Sequence, residues 1–543
     1  MKFMEFLGWY PFAISRGINP LLNTYVNLPT GSNMMWDTTV PLVAFVLAPV
    51  TALFGVMATW NVAIVSALVL DGYCTYCWLR RHTVHAHAAW LAGLLLVGGP
   101  YAFVRTFQLN LLLFFPVPLL IIEVERVFTE VHANWLRSGL KMGILVAVQV
   151  LCGEEVVALC AVALGTALII LAISHCVELR TRGPAILQSL GGAILAVLLL
   201  AGGPLGYQFF GPGRIRGPIQ APDTYVTDVV NFLVPGKYTA LVPGFLAGLS
   251  NRWSGGPLEN DAYIGIPLLL VVLFVAIRWR RDAWVGIVSL TTLAVAIWSL
   301  GGHLHVDGTV YRLPPLPGRV LSWLPVLNNI LPARFDLMMD LGLAGLLAVF
   351  IDRVVMGSSM AWRSRALGLL SFMIICATVA PSAPVPAYNP RIPRYFLPGG
   401  AVRTFRPGTV ALLVPYGDSE ETMAPMLWQA VSGFRLRMVA GAMYTAGRNG
   451  SPSLGRSLWG TGTTMDCVMQ LLQVGATYKV CTSDPVGAVR TGLETLHVRV
   501  IIMGPMDYGS DPALAPPIRR FLTKVAGKPP RRVQGVLVWK YAS

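Results

Sequence analysis

Apolar runs of bilayer length recur along the first two thirds of the chain, and no other feature restricts the fold as much. A hydrocarbon core about 30 Å thick needs roughly 20 consecutive apolar residues in helical form. Ten runs approach that length, near 57–79, 87–103, 109–122, 138–152, 156–177, 185–206, 262–277, 283–301, 336–354 and 363–380. A shorter run, 40–54, carries Pro41 and Pro49 and reads as a re-entrant or interfacial helix. Composition agrees. Hydrophobic residues make up 55% of the 543 and charged residues 12%, with a mean hydropathy of +0.62. A soluble domain has about 25% charged residues. A soluble enzyme, a disordered chain and a collagen-like fibre are excluded. The expected fold is mainly α, a polytopic transmembrane helical bundle of about ten spans plus the re-entrant helix.

The formal net charge of +15 does not indicate nucleic acid. The basic residues sit in short clusters between apolar runs, as topology signals do. One set of short connections carries Arg80/Arg81, Arg126/Arg137/Lys141, Arg180/Arg182, Arg278/Arg280/Arg281 and Arg353/Arg363/Arg365. The other set, 104–108, 153–155, 207–261 and 302–335, holds fewer basic residues over a greater length. The positive-inside rule places the first set in the cytoplasm and the second outside, in a cytoplasmic membrane. Everything beyond 381 then faces outward, and ten crossings put 1–56 outside as well. An outward N-terminal stretch without a leading span carries the expectation that the native start lies upstream of Met1.

The chain divides into 1–56, a first outer segment; 57–380, the membrane domain; 381–400, a Pro-rich linker; and 401–543, a small extracytoplasmic α/β domain. Strands are expected at 409–414, 477–481, 498–503 and 533–540, alternating with helices near 421–432, 463–474, 485–496 and 513–525. Such alternation marks an α/β fold. Residues 445–462 read as a Gly/Ser-rich loop. Cys467 and Cys481 are either a disulfide or two reduced, buried thiols.

Candidate chemistry concentrates near the outer ends of the spans, where charge is costly to place. Asp37 stands before the run 40–54. It is either that helix's N-cap or a general base for an acceptor hydroxyl. Glu154 and Glu155 follow the run 138–152, as a solvated turn or as carboxylates lining an outer cavity for substrate hydroxyls or a divalent cation. Arg105, Gln108 and Asn110 occupy the preceding outer turn. The loop 207–261 carries Asp223, Asp228, Asn231, Glu259, Asn260 and Asp261. The loop 302–335 carries His303, His305 and Asp307, a weak metal pattern, then Arg312, Arg319 and Arg334. Arg334 is either an interfacial anchor or a phosphate clamp. Cys74 and Cys77, and His82, His85 and His87, are weaker candidates. No Walker loop, dinucleotide fingerprint, Gly-x-Ser-x-Gly elbow or His-Glu-x-x-His is present.

Several motifs form a familiar succession: Trp9-x-Pro-x-Ala13, Gly17-x-Asn-Pro20, Pro29-x-Gly-x-Asn33-x-x-Trp36, Gly153-Glu154-Glu155, Glu259-Asn260-Asp261-x-Tyr263, Leu331-Pro-Ala-Arg334-Phe335 and Met426 to Phe434. This succession resembles a group of bacterial multi-span proteins related to the GT-C glycosyltransferases. The resemblance implies a polyprenyl-phosphate sugar donor, an outward-facing active site, a general base near Asp37 or Glu5, and a basic residue in a later outer loop for the donor phosphate. The chain departs from it in having no Asp-x-Asp pair within 1–38 and no span before the first outer loop.

The expected function is transfer of a sugar from a polyprenyl-phosphate carrier, within membrane lipid, to an extracytoplasmic acceptor. Asp37, Glu154 and Glu155 are the candidate catalytic carboxylates. Arg105, Asp228, Glu259, Asn260 and Arg334 are the candidate substrate contacts. No resident metal is assigned, although a divalent cation is a candidate cofactor. The rival is a non-catalytic transporter, flippase or envelope-assembly scaffold. Carboxylates converging on one outer cavity with Arg334 would favour the enzyme.

Overall fold

The computed structural model describes residues 1–130, 134–246, 248–357, 362–382, 391–417, 422–456, 463–476, 480–506 and 511–541. Among these, three helices are long and apolar enough to cross a membrane: Ala48–Leu79, Trp135–Ser174 and Gly183–Leu200. Shorter apolar helices are Ala86–Gly98, Ile266–Arg278 and Ala283–Ser299. The chain is a membrane protein, mainly helical. It forms two compact units, Met1–Ala63 with Gly202–Ile219 and Tyr388–Ser543, and Ile64–Ala201 with Gln220–Ala387.

Several of the ten expected runs are divided, each for a local reason. The run 87–103 becomes Ala86–Gly98 and Pro100–Arg105, broken at Gly99 before a proline that opens the second helix. The run 109–122 becomes Leu109–Leu112 and Pro116–Thr129. Pro116 has no N–H to continue a helix, and the exposed backbone of the break is satisfied by side chains. Asp71 accepts the Phe114 N–H at 3.0 Å, and Gln149 Nε2 donates to the Leu113 carbonyl at 2.9 Å. The stretch 40–54 is the short helix Pro41–Val46 followed by the start of Ala48–Leu79, which is interrupted at Gly55 with φ +81°.

Within the second unit the helix Asp336–Phe350 is the centre of the core. Every residue of it except Asp340 and Gly342 is buried. A helix apolar on all sides must be enclosed, and here it is packed among Trp78, Ala92, Val275, Val285 and Val295. Close approach of Trp135–Ser174 and Gly183–Leu200 depends on small residues. A Cβ on Gly139 would lie 2.1 Å from the Ser189 carbonyl, and one on Gly143 2.3 Å from that of Ala193. This Gly-x-x-x-Gly contact replaces bulk with backbone proximity, the usual device in lipid.

The first unit holds a five-stranded mixed sheet in the order Arg531–Val533, Val536–Lys540, Val500–Met503, Thr409–Val414, Leu436–Met438. Thr409–Val414 runs parallel to Leu436–Met438 and to Val500–Met503; the other pairs are antiparallel. The helices Thr464–Gln473, Pro485–Thr495 and Ala515–Ala526 bury Val468, Leu472, Val489, Leu493, Ile518 and Leu522 against Leu412, Ile501 and Trp539. The edge at Leu436–Met438 is covered by residues 25–28. Met438 N–H donates to the Tyr25 carbonyl at 2.8 Å and Leu28 N–H to that of Val439 at 3.1 Å. The helix Lys2–Ser15 packs alongside, with Phe12 stacked on Phe434 at 4.8 Å. Cys467 and Cys481 form a disulfide. The expected strand 477–481 falls mostly outside the described residues, as do 383–390 of the Pro-rich linker and 457–462 of the Gly/Ser-rich loop.

Candidate functional site

Four segments of the second unit, far apart in sequence, meet in one buried ionic cluster. The first is the end of Pro100–Arg105. Arg105 is fully buried, with Nη2 at 3.0 Å from Glu259 Oε2 and 3.0 Å from Asp261 Oδ2. Its Nη1 donates to Gln108 Oε1 at 2.5 Å and to the Leu258 carbonyl at 2.9 Å.

The second segment is the break at Gly153. Trp135–Ser174 is two helices rather than one, parted where Gly153 adopts φ 174°, ψ 99°. A Cβ there would lie 2.0 Å from the Asn110 carbonyl, so no side chain fits. The break places Glu154 and Glu155 at the start of a new helix. Glu155 pairs with Arg334 Nη1 and accepts the Leu331 N–H at 3.3 Å. Glu154 is half-buried.

The third and fourth segments are the 3-10 turns Pro257–Glu259 and Pro332–Phe335. Arg334 reaches Glu259 twice, Nη2 to Oε1 at 2.9 Å and Nε to Oε2 at 3.3 Å. Just beyond, Asp336 accepts from Thr227 Oγ1 at 3.2 Å. Two guanidinium groups thus face the carboxylates of Glu155, Glu259 and Asp261. Burial alone would raise Glu259, but Arg105 and Arg334 overcome it and hold its carboxyl at about 2. Burial dominates at Asp261. Arg105 pulls it down, the Glu259 charge pushes it up, and it stands raised at about 6.

Arg105, Glu155, Glu259 and Arg334 were all expected at the site, and they share this cluster. Asn260 is buried between its two acidic neighbours, with Nδ2 donating to the Ser250 carbonyl at 3.4 Å. Asp228 instead supports backbone. It accepts N–H groups from Val230 at 3.0 Å, Asp307 at 3.0 Å and Gly308 at 2.8 Å. Asp37 belongs to the first unit and is not the N-cap of Pro41–Val46, which Val40 precedes without a side-chain cap. It is 1% exposed, paired with Lys2 at 2.7 Å and bonded to the Tyr444 N–H at 2.6 Å. Nearby Glu5 is bound by Asn23 Nδ2 at 2.7 Å. Burial and the Asp37 charge push Glu5 up to about 8, against the opposing Asn23 bond and Lys2.

A phosphate clamp at Arg334 would need guanidinium donors that are here directed at Glu155 and Glu259. The exposed cationic groups lie elsewhere in the same unit. An open cleft of roughly 540 Å³ is lined by Asp223, His303, Arg312, Leu313 and Arg319 among others. Asp223 holds it together, with Oδ2 at 2.5 Å from His303 Nδ1 and Oδ1 accepting the Gly302 N–H at 2.7 Å. The segment 223–227 leads from the cleft towards the cluster. Two residues on from Asp223, the Tyr225 carbonyl accepts the Ala333 N–H at 3.1 Å, and Thr227 bonds Asp336. Two residues of extended chain span at most about 7 Å, so the cleft adjoins the turn that carries Arg334. Sequence reasoning named Asp223, Arg312 and Arg319 as loop residues without grouping them, since their convergence follows only from the path of 223–227.

The proposed metal patterns do not assemble. His303 goes to Asp223, His305 is buried, and Asp307 pairs with Arg252 at 2.9 Å. His82 binds Glu125 and stacks on Trp284 at 4.2 Å, whereas His85 binds Asp352. Among the described residues no group of three or more His, Cys, Asp or Glu side chains could hold a metal ion. The carboxylates Glu155, Glu259 and Asp261 are instead paired with the guanidinium groups of Arg105 and Arg334.

A family described as "Domain of unknown function (DUF6311)" matches residues 3–328, more than half of the chain. No curated protein matches the sequence. Solved structures similar to it include the archaeal oligosaccharyltransferase AglB from Archaeoglobus fulgidus in complex with an inhibitory peptide and a dolichol-phosphate, at 12% identity and TM-score 0.48, over 97% of this chain and 67% of that one. ArnT from Cupriavidus metallidurans in the apo state is similar at 12% identity and TM-score 0.46, over 98% of this chain and 92% of that one. The same ArnT bound to undecaprenyl phosphate matches at 14% identity and TM-score 0.36, over 68% of this chain and 58% of that one. This chain spans about two thirds of the length of the AglB chain.

Proposed function

The chain belongs to the DUF6311 family, whose description assigns no chemistry, and we propose from its own site that it is a membrane glycosyltransferase-like protein. In this reading it transfers a sugar from a polyprenyl-phosphate donor to an extracytoplasmic acceptor, across a bundle of about ten spans with residues beyond 381 outside the cytoplasm. The observation that carries the reading is an open, arginine-lined cleft linked through the segment 223–227 to a buried set of carboxylates. Arg312, Arg319 and His303 line a space able to take an oxyanion, and guanidinium groups suit phosphate. Glu155 or Asp261, released from its arginine partner, would supply the base that an acceptor hydroxyl requires. The reaction is a direct displacement. The acceptor oxygen bonds to the anomeric carbon, the bond to the carrier phosphate breaks, the carboxylate takes the hydroxyl proton, and the arginines hold the departing phosphate.

Purified full-length protein in lipid nanodiscs, offered a panel of polyprenyl-phosphate sugars, tests this. Turnover that falls at least tenfold in Arg312→Ala/Arg319→Ala supports it. No turnover of any donor, and a cell envelope unchanged in Glu155→Gln and in the double arginine variant, removes it. One observation favours the scaffold reading. Arg105 and Arg334 are directed at carboxylates, as in a network that only holds loops together. An envelope defect in variants of a protein that binds no donor would decide for that alternative.

A further inference from the structure

Gly301 and Gly302, just past the helix Ala283–Ser299, leave room for the side chain of Asp223. A Cβ on Gly301 would lie 2.7 Å from Asp223 Oδ1, and one on Gly302 3.2 Å from Oδ2 and 3.3 Å from the Cα of Arg319. Asp223 itself is held in the left-handed region, with φ +59°. Its two oxygens serve two hydrogens of the loop 302–335. Oδ1 accepts the Gly302 N–H at 2.7 Å, and Oδ2 meets His303 Nδ1 at 2.5 Å. An ionised carboxylate only accepts. The Nδ1 hydrogen therefore points at Asp223, and Nε2 is the ring nitrogen that can exchange a proton. Nε2 is not buried and has no partner among the described residues.

The hairpin brings a cation to the same place. Leu304–Val306 pairs with Thr309–Tyr311, Leu304 opposite Tyr311 and His305 opposite Val310. One pair further on, His303 is opposite Arg312, and opposed residues share a face of the ribbon. His303, Val310 and Arg312 accordingly line one open cleft, together with Arg319. Neither arginine of the cleft has a carboxylate partner among the described residues, unlike Arg105 and Arg334. Other charges on the hairpin are engaged elsewhere. Asp307 pairs with Arg252, and Asp228 accepts backbone N–H groups. Burial holds the His305 imidazole below its usual range against the pull of Asp223 and Asp228. With the His303 ring protonated, three positive groups of the cleft stand against the single carboxylate of Asp223. That surplus matches a phosphomonoester, which carries a charge of about −1.5 to −2, better than a singly charged diester.

We propose that Asp223 and His303 make this cleft selective for a phosphomonoester, whose third oxygen takes the hydrogen of His303 Nε2 while the arginines hold the other two. Entry of a phosphate belongs to the glycosyltransferase reading, on which this rests; the choice of ester goes beyond it. In that reading the donor is a diester and the departing carrier a monoester. A cleft that prefers the monoester favours the charge that gathers on the phosphate as its bond to the sugar breaks. His303 is then the residue that senses the ester, and Asp223 a positioning residue. Val310 and Leu313, exposed among the lining residues, suit a monoester borne on an apolar chain.

Full-length protein in phosphatidylcholine nanodiscs is titrated with farnesyl phosphate, with its methyl diester and with glucose 1-phosphate. At pH 6.5 farnesyl phosphate is expected to bind at least tenfold tighter than the diester. His303→Gln is expected to lose at least tenfold of monoester affinity and less than threefold of diester affinity. In the parent the preference should fade as pH rises to 8.5, because a histidine ring gives up its proton in this region. Ionisation of the phosphate, near pH 6, would on its own strengthen binding over the same range, so the sign identifies the ring. Asp223→Asn has one acceptor oxygen for two hydrogens and is expected to flatten that profile. Glucose 1-phosphate bound within threefold of farnesyl phosphate assigns the selectivity to soluble monoesters, and weaker binding assigns it to lipid-borne ones. Equal affinity for the two farnesyl esters, equal losses on both in His303→Gln, or a preference that grows with pH overturns the proposal, and an unaltered profile in Asp223→Asn removes Asp223 from it. No sugar donor is present. A protein that selects the monoester and transfers nothing refutes the transfer alone, and one that transfers without selecting refutes the selectivity alone.

Discussion

Arg334 and Glu259 face each other through two contacts, Nη2 to Oε1 at 2.9 Å and Nε to Oε2 at 3.3 Å, while the third guanidinium nitrogen turns to Glu155. One side chain therefore ties the turn before the central helix to a loop and to the Gly153 break. Removing it strands buried carboxylates, a change that typically costs about 3–5 kcal/mol. Arg334→Ala is expected to destabilise by that order in a detergent unfolding titration. Arg334→Lys should recover only part of the loss, because an ammonium lacks the forked geometry. A near-neutral Arg334→Ala would mean that the cluster does not support the fold.

Gly153 permits the close pass by Asn110. Gly153→Ala puts a methyl 2.0 Å from the Asn110 carbonyl, whereas a Cβ at Gly165, in the same helical stretch, meets nothing within 4 Å. Overpacking of this kind costs about 1–3 kcal/mol. The thermal midpoint should fall in Gly153→Ala and hold or rise slightly in Gly165→Ala.

Glu5 makes stability depend on pH in an unusual direction. Its carboxyl is raised by burial from 4.5 to about 8. Between those values the folded chain keeps a proton that the unfolded chain has released, so stability is greatest below 4.5 and declines as pH rises to about 8. Glu5→Gln keeps the acceptor for Asn23 and removes the ionisation. Relative to the parent, its melting temperature should climb between pH 5 and pH 9. A constant difference across that range would show that Glu5 does not titrate there.

Arg312 and Arg319 are exposed, and substitutions at such positions usually change stability by less than about 0.5 kcal/mol. Their alanine variants should therefore melt like the parent while the KM for a polyprenyl-phosphate donor rises at least tenfold. An unchanged KM would move the phosphate away from this cleft.

Much of the site could be read from residue type, and little of its assembly. Arg105, Glu155, Glu259 and Arg334 stand out because charge beside an apolar run is expensive. Their meeting is invisible in the sequence, since Arg105 and Glu259 are 154 residues apart and Glu155 and Arg334 179 apart. Asp261 was read as one acid among several in a loop, and only its distance to Arg105 distinguishes it. Asp37 shows the opposite failure. Its position before Pro41 suits a cap or an open base, yet its partners are Lys2 and the backbone of Tyr444, which no local pattern predicts. The runs Thr409–Val414 and Val500–Met503 were legible as strands because both are continuous apolar stretches, as strands covered on both faces tend to be. Leu436–Met438 was not, being too short to show a period.

The first unit is assembled from both ends of the sequence. Tyr444 meets Asp37 across 407 residues, and Arg456 meets the Leu28 carbonyl across 428. At a synthesis rate of about 5–20 residues per second, the opening segment waits on the order of 20–90 s for its partners. During that interval Lys2 and Asp37 have each other but no enclosing sheet, and the helix Lys2–Ser15 has Pro41–Val46 and Trp60 beside it but not Phe434. Residues 1–37 thus complete their packing only after residues 444–456 have been made. A chaperone that shields that helix through translation would have its greatest effect on this unit, and a ribosome stalled before residue 436 would leave residues 25–28 without their edge strand.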